Sequence, residues 1–152
     1  MSRARHLGSS LERTVTGPMW HGPALAEVLQ EVTADRAAAR PIAGAHTIWE
    51  IVLHIIAWVE IARARLKGES TGDPTPEQDW PPAAATDAAA WARALERLGA
   101  CHRELAADAR GLDEARLDQK IADLDYSADV LLHGIVEHGT YHGGQIALLK
   151  KR

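Results

Sequence analysis

Residues 137–146, "EHGTYHGGQI", hold His138 and His142 four apart, between flanks that read as helix. At about 100° per residue the two fall about 40° apart and one turn along. Leu131, Ile135 and Leu149 share that arc and Gln145 sits at its edge, so both imidazoles face the apolar side of the helix. Two imidazoles so placed can share one cation at about 2.0–2.1 Å from each nitrogen. His54 is the candidate third ligand. It lies within "IVLHIIAW" (51–58), on a helical face with Ile51, Trp58 and Ile61, where an unpartnered polar ring is costly.

Facing helices of a bundle bring such side chains together, which predicts a metal site of His54, His138 and His142 with its remaining positions open. Three imidazoles suit Zn, Ni, Cu or Fe, with Zn or Ni the expected ion. The competing reading is three core histidines satisfied by hydrogen bonds. A zinc-protease helix carries Glu after its first His; Gly139 stands there instead. Gly139 and Gly143 each cost about 1 kcal/mol against Ala in a helix interior. They are expected to admit a neighbouring backbone, bringing His54 within reach, or to leave room for a substrate.

The elements that must position these residues are helical. Residues 1–5 read as a flexible end, 6–16 as a short helix, and 17–23, "GPMWHGP", as a turn. Leu25, Val28, Leu29 and Val32 follow at helical spacing, and Thr33 caps a short turn that ends before Pro41. Thr47-Ile48-Trp49-Glu50 is a capping box opening a helix that runs to Lys67 and stops at Gly68. Residues 68–85 are a long Pro/Gly-rich connection, either a crossover tether or a lid. Thr86 is expected to cap a helix closed by Gly111, and the last helix spans Ser127 to about Lys150. The fold class predicted is all-α: a four-helix bundle with a long crossover between helices 2 and 3, as one domain over 1–152.

The composition agrees. The 152 residues carry 17 Lys+Arg against 21 Asp+Glu, with no basic stripe of the kind that binds nucleic acid. The single cysteine, Cys101, excludes an intrachain disulfide. No apolar core follows "MSRARHLGSS", and the apolar run 48–62 is too short to span a bilayer. A cytoplasmic protein without nucleic-acid or membrane partners is expected.

Taken together, "MWHGPAL", "HTIWEIVLHIIAW", "DWPP" and "LLHGIVEHGTYHGGQIALLKK" resemble the DinB family (DinB-like, YfiT-type proteins) from about residue 7 to 152. The resemblance implies a four-helix bundle, often a homodimer. It also implies a divalent metal on three histidines, at the positions of His54, His138 and His142. Among its relatives are thiol-dependent enzymes, namely bacillithiol transferases and mycothiol-dependent isomerases. The expected function is therefore a thiol S-transferase acting on a small molecule. In it a low-molecular-weight thiol, deprotonated at the metal, attacks an electrophile. The alternatives are a hydrolase using metal-activated water and a non-catalytic metal-binding stress-response module.

Gln145 and Tyr141 are candidate contacts to the ligands or substrate. Arg63 and Arg65 are candidates for binding a carboxylate, or plain surface arginines. Trp58 is placed on the pocket wall or in the core. His21 lines the pocket, or caps a helix and packs on Trp20. Glu50 is a candidate base in the hydrolase reading, against its capping role. Glu137 is assigned to a solvated face, and Cys101 beside His102 to the core.

Overall fold

The computed structural model describes residues 2–69 and 72–152. Among the described residues eight helices follow one another: α1 (Arg3–Thr16), α2 (Leu25–Leu29), α3 (Ala34–Ala38), α4 (Ile48–Lys67), α5 (Pro76–Asp79), α6 (Ala88–Arg110), α7 (Glu114–Asp118) and α8 (Ala128–Leu149). The four long ones, α1, α4, α6 and α8, make the bundle. Each of α1 and α4 packs against both α6 and α8. Leu7, Leu11, Ile55, Val59, Leu98, Leu105, Leu132 and Ile146 fill the interior, each almost wholly buried. No described helix is long and apolar enough to cross a membrane.

Local chemistry sets the helix ends. The Glu50 N–H donates to Thr47 Oγ1 at 3.1 Å while the Thr47 N–H donates to Glu50 Oε2 at 2.8 Å, the reciprocal box the sequence predicts. Gly68 closes α4 in the left-handed conformation, φ 75°, where glycine has no Cβ penalty. Ser127 caps α8. These ends fix where α4 and α8 begin and stop, and burial of their apolar faces sets which sides meet.

Three boundaries differ from the sequence reading. Residues 3–5 are not a loose end but the first turn of α1. Arg3 is tied to Glu114 and Asp118 of α7 at 2.7 and 2.9 Å; Met1 lies outside the described residues. The helix expected over 25–32 stops at Leu29, and Glu31 takes a positive φ of 64°. The N-terminal segment expected only as a short helix is thus a full member of the bundle. Asp87, not Thr86, caps α6, its carboxylate accepting the Ala90 N–H at 2.8 Å. The connection from α4 to α6 contains α5, whose end delivers Asp79 and Trp80 to the face of α4.

Candidate metal centre

Helix α4 contributes His54, and α8 contributes His138 and His142 one turn apart. His54 and His142 are each 5 % exposed. His138 Nε2 lies 3.0 Å from His54 Nε2 and 3.1 Å from His142 Nε2. Nitrogens about 2.0–2.1 Å from one tetrahedral ion stand about 3.3–3.4 Å from each other, close to this spacing.

The outer nitrogens say what the inner ones can be. His54 Nδ1 faces the backbone carbonyl of Asp79 at 2.6 Å. A carbonyl only accepts, so Nδ1 carries the proton and Nε2 is a bare lone pair. His142 Nδ1 faces Gln145 Oε1 at 2.6 Å, while Gln145 Nε2 donates to the Tyr141 hydroxyl at 3.1 Å. That orients the amide and leaves His142 Nε2 bare as well. Two bare lone pairs converge on His138 Nε2, which has at most one proton to offer. Such a group is short of a positive centre, and a divalent cation fits it.

Charge points the same way. Burial lowers the pKa of His54 against the opposing pull of the Asp79 carbonyl, and it lowers His142 against the pull of Gln145. Burial, with repulsion from His142 and His54, brings His138 down to about 3. All three imidazoles are neutral near pH 7, the form that ligates. Among the described residues no other His, Cys, Asp or Glu joins the group, so the chain supplies three donors and leaves other positions open.

The supports come from the crossover. Trp80 stacks on His54 with centroids 3.8 Å apart, and its other face stacks on His46 at 3.5 Å. Asp79 Oδ1 accepts the Trp58 Nε1–H at 2.7 Å. The cluster opens into a cleft of about 480 Å³ with Trp58, Leu131, Gly134 and Ile135 along it and Tyr141, 64 % exposed, at its mouth. Arg65 and Tyr126 also line this cleft. A Cβ on Gly134 would meet nothing within 4 Å, so this glycine, one turn before His138, leaves the cleft wall open.

Gln145, Tyr141 and Trp58 thus stand at the cluster or its cleft, while His21 does not. His21 is exposed and borders a smaller pocket on another side of α8, with Thr14, Gly139 and Gly143. The two glycines do not admit α4 and His54, as the sequence reading expected. A Cβ on Gly139 would lie 2.5 Å from Thr14 Cγ2 of α1, and one on Gly143 would lie 3.3 Å from Leu25 Cδ2 of α2. They seat the N-terminal helices on the back of α8.

Glu50 is taken up by its capping box, Arg40 and His46. Burial raises its pKa, but the Thr47 N–H and Arg40 outweigh that and hold it below the ordinary value. Arg63 is spent on Asp108 and Glu104 of α6. Cys101 is fully buried and its thiol is pushed up to about 12 by burial. Its Sγ lies 3.7 Å from His102 Nδ1, which points to the Leu98 carbonyl at 2.8 Å, so no activated dyad forms. Glu137 is exposed.

Sequence reasoning missed Asp79, Trp80, Gly134 and Tyr126. Only "DWPP" carried a signal, as part of the family resemblance. No curated protein and no solved structure matches the chain. The model of one family does match, over residues 20–146, which takes in His54, His138, His142 and the crossover between them: the chain belongs to the DinB superfamily.

Proposed function

We propose that the protein is a metal-dependent enzyme of the thiol S-transferase type, with His54, His138 and His142 holding a divalent ion, Zn or Ni. The observation that carries the metal is the convergence of three Nε2 atoms, two of them bare of protons because Asp79 and Gln145 fix the opposite nitrogens. When bound, such an ion supplies Lewis acidity that lowers the pKa of a thiol or water at an open position.

The chain's own residues do the rest. Asp79 and Gln145 hold the Nδ1 protons and aim the imidazoles. Trp80 packs over His54 and shields it from water. Trp58, Leu131 and Ile135 offer the apolar surface an electrophile would lie on. The thiol route is preferred over hydrolysis because Asp79, the one carboxylate lining the cleft among the described residues, already holds Trp58. Glu50 is engaged elsewhere. The absence of a fourth ligand among the described residues favours an open, reactive site over a metal staple.

The test is metal content by mass spectrometry on protein purified without chelators, beside His54→Ala and His142→Ala. The expected result is about one ion per chain, lost in both variants. Thiols paired with electrophiles are then assayed on the loaded protein. A wild type that is empty and cannot be loaded sinks the metal; a loaded protein inert to every thiol leaves the staple.

A further inference from the structure

Arg65 is 4 % exposed, yet no Asp or Glu among the described residues pairs with it. Arg3, Arg40, Arg63, Arg97 and Arg110 all have acid partners. The residues outside the description are Met1, Ser70 and Thr71, none of which bears a side-chain carboxylate. The donors of Arg65 go to neutral oxygens: Nη1 to the Tyr126 hydroxyl at 2.6 Å and Nη2 to the Gly72 carbonyl at 2.9 Å. Nε has no partner. The guanidinium stands over the Trp58 ring at 5.5 Å.

A buried cation with only dipoles around it is expensive. The indole face and the negative end of the α4 macrodipole offset part of the charge, but no carboxylate among the described residues pairs with it, Asp79 in the same cleft being held by Trp58. Position shows where one would come from. Arg65 follows His54 by eleven residues on α4, about 20° round and about 16 Å along the axis, and lines the same cleft. Its guanidinium and the His138 ring, 5.9 Å from Trp58, flank the same indole. Among the described residues no other Lys or Arg lines the cleft, and Asp79 is its one carboxylate, so the charge at the Arg65 end suits a monoanion rather than a phosphate dianion. A guanidinium also matches a planar carboxylate in shape.

We propose that Arg65 is an anion-recognition residue that receives the carboxylate of a small substrate whose reacting end lies at the His54–His138–His142 cluster. This rests on the cleft being the substrate site, but not on the identity of the metal. The same buried arginine also pins Gly72 and Tyr126 to α4, and that purely structural role is what the test must separate.

Calorimetric titration of the protein as purified uses three probes: hexanoate, its neutral isostere hexanamide, and hexylphosphonate. Metal content is measured on the same samples, so a failed metal centre is visible separately from a failed anion site. Hexanoate is expected to bind about ten- to a hundredfold more tightly than hexanamide, the worth of a charge-assisted hydrogen bond. Arg65→Gln should bring hexanoate down to the amide, and Arg65→Lys should recover part of the difference. Equal affinity for acid and amide in the wild type overturns the proposal without any variant. So does an acid preference that survives Arg65→Gln, which would place the carboxylate on the metal. Tighter binding of the phosphonate overturns the carboxylate assignment.

Discussion

His142 Nδ1 lies 2.6 Å from Gln145 Oε1, and this contact within one turn of α8 decides which nitrogen of His142 faces the cluster. Without it either tautomer is open, and one of them points a proton where a ligand is needed. Gln145→Leu keeps the helix and removes the acceptor. Chelator competition should show metal affinity down about ten- to a hundredfold with an unchanged thermal midpoint for the metal-free protein. An affinity within twofold would mean that packing alone orients His142.

Trp80 joins the crossover to the bundle by stacking between His46 and His54. Aromatic pairs contribute about 0.5–1.5 kcal/mol each beyond area burial, so Trp80→Ala should lower stability by about 1–3 kcal/mol in urea unfolding. It should also weaken metal binding, because the Asp79 carbonyl that holds His54 sits on the same loosened segment. If stability drops while metal affinity holds, the Asp79 carbonyl is positioned by α5 itself.

What the sequence made legible was what a single helix can encode. The arc shared by His138 and His142, the Thr47–Glu50 box, the Gly68 stop and the Thr33 cap all depend on residues within a few positions of each other. What it hid depends on contacts between elements. The acceptor for His54 is a backbone carbonyl, which any residue type would provide, so Asp79 leaves no mark as a partner. The two arginines of α4 look alike in sequence. They stand about 200° apart on the wheel, and only the packing of α6 shows Arg63 to be neutralised by Glu104 and Asp108 while Arg65 faces the cleft. The glycines announce close approach, but not which neighbour approaches.

Two of those glycines give opposite expectations for one substitution. Gly134→Ala meets open space and gains helix propensity, about 1 kcal/mol more stable. Gly139→Ala puts a methyl 2.5 Å from Thr14 Cγ2; Thr14 is 2 % exposed and its hydroxyl is bonded to the Ser10 carbonyl. Overpacking of about 1–3 kcal/mol outweighs the propensity gain, so this variant should melt lower than wild type. Thermal melts of the pair decide the matter, and a stabilised Gly139→Ala would show that α1 is free to shift from α8.

His102 gives the pH dependence. It is 1 % exposed; its Nδ1 donates to the Leu98 carbonyl at 2.8 Å and its Nε2 has no partner among the described residues. Burial lowers its pKa from 6.5 to about 4, against the weaker pull of that carbonyl. The folded state therefore resists a proton that the unfolded chain accepts, and acid favours unfolding. Sign and window follow from linkage: the loss begins as pH falls below about 6.5, grows until about 4, and levels off there, on the order of 3 kcal/mol in total. In His102→Leu this acid-dependent loss is absent. Urea midpoints of wild type and variant at pH 7, 5 and 4 give the difference, to which His138 adds a smaller part because a charged His102 repels it. The two stability curves should converge or cross toward acid; parallel curves would mean that water reaches Nε2 and that His102 takes up its proton without cost to the fold.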